Sequence, residues 1–274
     1  MIDLHLHTTA SDGRCTPHEL VDRASHAGVT VMAVTDHDTV AAIPEVQSAA
    51  VACGIDVVAG IEITAVENGR DVHMLGYFIN PRDPKLEAFL AQQRAHRIAR
   101  VEALGLRLAQ LGMPIDTGSL LLQAREQRRR SVGRPHVARA MVAAGYVADT
   151  REAFERWLAT GRPAFVARSG ATPHQVIDVV HAAGGLVSLA HPGQTDVDSH
   201  IPAYAEAGLD AIELYHPDHD GEAVDWYRNI ASQLTLLATG GSDFHGDADH
   251  GWEPGAVALP VDEWLRLRDA AAHA

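Results

Sequence analysis

The sequence predicts an α/β fold, a parallel sheet or barrel of seven strands interrupted by one helical insertion. Three observations predict it. Short apolar, β-branched runs recur along the chain, most of them followed by a turn and a helical pattern. Helix-capping signals stand between some of the runs. One long stretch, residues 81–160, has helical periodicity and little strand character.

The candidate strands, in order, are residues 2–6, 31–35, 55–58, 72–78, 186–190, 210–215 and 234–238. Thr16, Pro17 and Glu19 spell a capping box with proline at the first helical position, and Thr172, Pro173 and Gln175 repeat the device before an apolar stretch at 176–183. Asn68-Gly69, with apolar residues on both sides, is a hairpin signal. In the insertion Leu86, Phe89, Leu90, Ile98, Val101, Leu104, Leu108 and Leu111 recur at helical spacing, and Arg94, Arg97, Arg100 and Arg107 line the polar side. The expected organisation is one barrel from residues 1–80 and 161–274, with 81–160 inserted between its halves. No internal repeat or low-complexity linker is visible.

Composition excludes several function classes. At 274 residues, with 46% apolar and 21% charged residues, the chain suits one large globular domain with an insertion. No apolar run approaches the roughly 20 residues of a membrane helix, so no membrane partner is expected. Met1-Ile2-Asp3-Leu4 lacks a basic start and an apolar signal core, and Cys15 and Cys53 are too few for a disulfide framework; a cytoplasmic location is the expectation. A net charge of −14 argues against binding along a long nucleic-acid duplex. A small anionic substrate stays open, because bound divalent cations can make one spot positive inside an acidic protein. Composition leaves the oligomeric state open.

The chain has 17 histidines, and their positions carry the information. His5 and His7 alternate with Leu4 and Leu6, so they share one face of the first strand at a spacing that can chelate an ion. Ser11-Asp12-Gly13 follows on a tight turn. Later strands deliver Asp36-His37-Asp38, Glu62, His73, His191, His216 and Ser242-Asp243-Phe244-His245 at or just past their ends. In barrels of alternating strands and helices the C-terminal strand ends are where chemistry is built. A chance collection of surface polar residues would need the same coincidence at strand after strand. His18, His26, His96, His174, His181, His200, His250 and His273 lie in helical, turn or terminal contexts and are expected at the surface or in caps.

The ordered set Asp3-Leu4-His5-Leu6-His7, Ser11-Asp12-Gly13, Thr35-Asp36-His37-Asp38, Gly60-Ile61-Glu62, His73, Ala190-His191-Pro192-Gly193 and Gly241-Ser242-Asp243-Phe244-His245 closely resembles the polymerase-and-histidinol-phosphatase (PHP) family. The resemblance spans Asp3 to His245. It implies a distorted seven-stranded (β/α)7 TIM-like barrel, a trinuclear metal centre and phosphoesterase activity. It implies that His5, His7, Glu62 and Asp243 hold a first ion. Glu62, shared, then holds a second with His73 and His191, and Asp12, His37 and His245 hold a third. Imidazole and carboxylate donors suit Mn²⁺, with Fe²⁺ or Zn²⁺ as alternatives, and the absence of cysteine argues against a closed structural zinc site. Asp36 and Asp38 are expected to orient ligands.

Substrate contacts are expected from the insertion. The basic run through Arg134 and His136 stands out in an acidic chain, and arginine recognises phosphate through paired hydrogen bonds. The segment Gly133-Arg134-Pro135-His136-Val137-Ala138-Arg139 resembles a motif of the family branch that acts on nucleoside 3′,5′-bisphosphates and trims short RNAs from the 5′ end. Arg134 and His136 are therefore expected at a substrate phosphate, with Arg128, Arg129 and Arg130 at the rim. His216, in His216-Pro217-Asp218-His219, is a candidate to touch phosphate or protonate a leaving group. The expected reaction is metal-assisted hydrolysis of a phosphate monoester through Glu62, Asp243 and His216, without a covalent enzyme intermediate. The expected partner is a nucleotide or short oligonucleotide. The alternatives are histidinol phosphate, a small cyclic phosphate, or a metal-binding module without catalysis.

Overall fold

The structure, a computed structural model, describes residues 1–126, 130–247 and 251–273. Seven strands form one sheet in chain order: β1 (Ile2–Asp3), β2 (Val31–Val34), β3 (Asp56–Glu67), β4 (Arg70–Tyr77), β5 (Leu186–Leu189), β6 (Ala211–Tyr215) and β7 (Leu237–Gly240). The sheet curls until its ends meet. Leu4 N–H donates to Gly240 O at 3.2 Å, His7 N–H donates to Phe244 O at 3.0 Å, and Leu6 bridges Phe244. Gly241 permits that approach, since a Cβ there would stand 2.4 Å from the His5 nitrogen. The chain forms a distorted barrel of seven strands.

The distortion comes from the predicted hairpin. Asn68 and Gly69 take φ of 50° and 78°, the left-handed pair of a type I′ turn. A two-residue turn can join only antiparallel strands. β4 therefore runs against both β3 and β5, whereas β1–β2–β3 and β5–β6–β7 are parallel. The strict strand–helix alternation fails at this point, and β3 extends far beyond the expected residues 55–58 because β4 pairs with it to the turn. The strand expected at 234–238 begins later. Leu234 closes a helix, Thr235 turns the chain with φ 58°, and β7 starts at Leu237.

Ten α-helices are described: α1 (Pro17–His26), α2 (Ile43–Cys53), α3 (Pro84–Gln110), α4 (Thr117–Glu126), α5 (Arg134–Ala143), α6 (Thr150–Ala153), α7 (Pro173–Ala182), α8 (Ile201–Glu206), α9 (Gly221–Leu234) and α10 (Val261–Ala271). Both capping boxes form: the Glu19 N–H donates to Thr16 Oγ1 at 3.3 Å, and the Gln175 N–H to Thr172 Oγ1 at 3.4 Å. Met32, Ile61, Ile63 and Met74 pack in the outer layer with Leu20, Val46 and Ile177 of the surrounding helices. On the opposite strand faces Leu4, Ala33, Val58, Leu75 and Tyr77 cluster with Leu267 of α10.

α3 serves three environments along its 27 residues. Leu86 and Leu90 belong to the barrel core. Val101, Leu104 and Leu108 belong to a separate apolar cluster with Leu121, Val137, Met141 and Leu158. Between these lie Gln93, Arg94, Arg97 and Arg100, all buried. The row of arginines on the polar side is thus three buried residues at the barrel mouth, with only Arg107 of that row exposed. The packing boundary of the helical unit falls inside α3. No described helix is long and apolar enough to cross a membrane.

Candidate metal centre

At one end of the barrel the inward positions turn polar, and the strands bring their chemistry to one point. His5 and His7 follow β1, His37 follows β2, Glu62 lies in β3 and His73 in β4, His191 follows β5, and Asp243 and His245 follow β7. Asp12 sits on the turn after His7. Asp36 holds that turn, accepting from Thr8 N–H at 2.8 Å, Thr8 Oγ1 at 2.6 Å and Ser11 Oγ at 2.6 Å. All nine candidate residues expected from the sequence meet here.

Glu62 is the centre of the arrangement. Its Oε2 lies 3.4 Å from His5 Nε2, 3.2 Å from His7 Nε2 and 3.1 Å from His37 Nδ1; its Oε1 lies 2.6 Å from His73 Nδ1 and 3.3 Å from His191 Nε2. Asp243 Oδ1 stands 3.2 Å from both His5 Nε2 and His7 Nε2. Asp12 lies 3.5 Å from His37 Nε2 and 3.5 Å from His245 Nε2. Among the described residues four donor sets converge within 4.8 Å: His7, Asp12, His37 and His245; His5, His191 and Asp243; His5, His7 and Glu62; and His37, Glu62 and His73.

These residues fit divalent ions. Two ligands each about 2.1 Å from one ion stand roughly 3.0–3.4 Å apart, the spacing found between most of these pairs. Buried polar atoms point the same way. His7 Nδ1 and Nε2, Asp12 Oδ1, and Nδ1 of His37, His73 and His191 have no hydrogen-bond partner. Leaving one such group unsatisfied costs about 1–3 kcal/mol, so gathering several is tolerable only where something else binds them. Ring protonation is set from behind. His5 Nδ1 faces Glu213 Oε1 at 2.9 Å, and His245 Nδ1 faces the Asp243 carbonyl at 2.8 Å. Each ring therefore keeps its proton on Nδ1 and presents a bare Nε2 inward.

Burial alone would push the His7 imidazole down, but the carboxylates of Asp243 and Glu62, each 3.2 Å from its Nε2, raise it to about 10. Burial likewise opposes ionisation of Glu62, Asp12 and Asp243, yet the surrounding imidazoles hold all three well below the usual carboxylate range. The same carboxylates push His5 and His191 up against burial, whereas burial holds the His37 imidazole well below its ordinary value.

The cluster floors a cavity of about 260 Å³ whose opposite wall is arginine. Asp38, expected to orient a ligand, instead pairs with Arg97 and, at 2.8 Å, with Arg168. Asp71 pairs with Arg100 at 2.7 Å and Arg134 at 3.0 Å. Four guanidinium groups meet two carboxylates, leaving this wall two charges positive. Arg100 Nη2 and Arg168 Nε are buried and have no acceptor. Arg134, stacked 5.7 Å from the Phe154 ring centre, also lines a neighbouring chamber of about 400 Å³.

Two expected residues stand elsewhere. His136 Nδ1 accepts from its own cap, the Gly133 N–H, at 3.3 Å, and the ring lines a small crevice with Leu120 and Val132 rather than the main cavity. Burial lowers it to about 4, so it is neutral at physiological pH. His216 lies behind Asp243. Its Nδ1 accepts from Asp218 N–H at 3.1 Å, which places the ring proton on Nε2, 3.4 Å from Asp243 Oδ2. His219 is committed on both nitrogens, to Leu214 O and the Gly193 N–H. Of the rim arginines, Arg128 and Arg129 lie outside the described residues, as does His250. Among the histidines expected at the surface, His18, His26, His174, His181 and His273 are exposed, and His96 and His200 are half-buried.

Sequence reasoning missed Glu213, Asp71 and Arg168. Glu213 had a signal, an acid flanked by Ile212 and Leu214 inside an apolar strand. Asp71 and Arg168 had none, because their significance is the pairing across the barrel mouth.

Comparison with known proteins agrees with this geometry. The PHP domain matches residues 3–158. The chain is 35% identical over 250 residues to a 5′-3′ exoribonuclease of Haemophilus influenzae, covering 89% of each chain. It is 31% identical over 259 residues to a 3′,5′-nucleoside bisphosphate phosphatase of Chromobacterium violaceum, covering 93% of this chain and 90% of the other. The fold is similar to the solved structure of a proposed metal-dependent phosphoesterase from Bifidobacterium adolescentis, with TM-score 0.87 and 33% identity over 97% of this chain and 94% of that one.

Proposed function

This chain belongs to the PHP family and is a metal-dependent phosphoesterase, and we propose that it removes the 3′-phosphate from a nucleoside 3′,5′-bisphosphate. The observation that carries the choice of substrate is the arginine wall. It faces the carboxylate–imidazole cluster across one cavity, is two charges positive, and has two buried N–H groups without an acceptor. A second phosphate answers that charge through Arg134, the accessible arginine of the wall, and a monoester with a neutral or cationic remainder does not.

The metal assignment is the one the resemblance to the family implies, and it draws on residues of the converging cluster. His5, His7, Glu62 and Asp243 hold one ion; Glu62, His73 and His191 hold a second; Asp12, His37 and His245 hold a third. The nitrogen and oxygen donors suit Mn²⁺. Bound there, the ions supply Lewis acidity toward a phosphoryl oxygen and lower the pKa of water. The protein's own residues do the rest. Glu62 and Asp243 stay ionised and hold the centre together. Nε2–H of His216 donates to Asp243 and fixes its second oxygen, so His216 acts through that carboxylate. Arg134, the most accessible of the arginines paired with Asp38 and Asp71, takes the substrate's second phosphate and holds the ester for in-line displacement.

A second reading has its own support. The chamber beside Arg134 shares Asp71, His73, His191 and Gln194 with the main cavity, which leaves room for another nucleotide and for a short RNA 5′ end. The test is a panel for the Mn²⁺-loaded protein: adenosine 3′,5′-bisphosphate, a 5′-phosphorylated trinucleotide, histidinol phosphate, a cyclic phosphate and an aryl phosphate. The bisphosphate should give the highest kcat/KM. Preference for histidinol phosphate or the cyclic ester refutes the substrate assignment.

A further inference from the structure

Glu213 is fully buried in β6, at the point where the register with β7 shifts. Among the described residues it has no arginine or lysine partner, and each of its oxygens has a separate task. Oε1 accepts from His5 Nδ1–H at 2.9 Å. Oε2 accepts from the backbone N–H of His191 at 2.7 Å. His191 has φ 26° and ψ 58°, a strained region for a residue with a Cβ, and such a conformation persists only where the surroundings enforce it. The first contact fixes which nitrogen of His5 is free. The second fixes the backbone that aims the His191 ring at Glu62, 3.3 Å away.

We propose that Glu213 is a positioning residue that couples the first two metal sites by holding His5 of one and His191 of the other with a single carboxylate. The inference rests on the three-ion reading above. The third site is held by other devices. Asp12 rides on the turn fixed by Asp36, and His245 donates to the Asp243 carbonyl. Losing the Glu213 carboxylate should therefore weaken two sites together and leave the third.

Glutamine is the discriminating replacement because it has nearly the same shape and only one acceptor oxygen. If its oxygen faces His5, its NH₂ confronts the His191 N–H, donor against donor. If its oxygen faces His191, its NH₂ donates to His5 Nδ1, the ring proton moves to Nε2, and the inward nitrogen can no longer bind a metal. Neither orientation satisfies both sites.

The test titrates metal-free wild type, Glu213→Gln and Glu213→Asp with Mn²⁺, reading free Mn²⁺ by electron paramagnetic resonance and bound metal by elemental analysis. Melting temperatures are measured in chelator. In Glu213→Gln the ion on the side that the amide NH₂ faces should bind about 10- to 100-fold more weakly and the third ion within about twofold of wild type. The metal-free melting temperature should be little changed. Glu213→Asp, with both acceptor oxygens on a shorter stem, should recover part of the affinity; it also serves if the glutamine variant does not fold. Wild-type affinity at all sites in Glu213→Gln, or equal loss at all three with a lowered metal-free melting temperature, overturns the coupling. A wild-type protein that binds fewer than three ions refutes the metal assignment itself, whatever the variants do.

Discussion

Arg134→Ala removes a guanidinium that is 22% exposed, faces the cavity, and shares Asp71 with Arg100. The shared carboxylate makes the variant readable. Asp71 keeps its shorter contact, 2.7 Å to Arg100, so the substitution strands no buried charge and the fold should tolerate it. The main loss then falls on the substrate. A hydrogen bond to a charged group is worth about 1.5–3 kcal/mol, which converts to about a ten- to more than a hundredfold fall in kcat/KM. That fall should appear on adenosine 3′,5′-bisphosphate and be much smaller on an aryl phosphate, which has no second anionic group. Bound metal should be unchanged, because Arg134 belongs to none of the donor sets. The assay is kcat/KM for wild type and variant on both substrates with elemental analysis of the same samples. Equal losses on both substrates would show that Arg134 serves the reacting phosphate. No loss on either would refute the role of the arginine wall in recognition.

Two further outcomes are expected. Glu62→Gln should disturb two ions at once and lower turnover by orders of magnitude, while circular dichroism shows a folded barrel; near-normal turnover in a folded variant removes Glu62 from the centre. Metal binding should release protons and strengthen as pH rises, because a His7 raised to about 10 carries its proton at neutral pH and must lose it to ligate. The sign for the metal-free fold is opposite: a raised histidine stabilises it below the unfolded pKa near 6.5, and that contribution fades as pH climbs toward 10. Calorimetric Mn²⁺ titrations in buffers of different ionisation enthalpy check this, and a pH-independent affinity without proton release contradicts it.

The strand ends were legible because a period of two puts His5 and His7 on one face whatever the rest of the chain does, and because a polar residue at the end of an apolar run has few structural reasons to be there. The hairpin was legible from Asn68-Gly69. What it does to the sheet was not drawn from it, although a two-residue turn already requires antiparallel strands. The partners of the α3 arginines were not legible, for a different reason. Helical periodicity separates a polar face from an apolar one, but it does not say whether the polar face meets water or carboxylates. Asp38 and Asp71 are far from those arginines in sequence, and only the fold brings them under α3. His136 shows the reverse case, a residue inside a basic motif whose Nδ1 is taken by its own helix cap.

The two Arg–Asp contacts under α3 have a consequence for how such enzymes can be rebuilt. Asp38 follows the candidate ligand His37 directly, and Asp71 stands two residues before His73 on the same strand. The helical unit is therefore bolted to the very strands that carry the candidate metal ligands. It cannot be exchanged as a cassette cut at the strand ends, because half of each bolt lies in the barrel. A chimera that takes the helices of a relative must also take that relative's residues at positions 38 and 71, or buried guanidinium groups will arrive over the metal centre with nothing to neutralise them. On the proposed reading, substrate range is inherited jointly by the helical unit and two acids of the barrel.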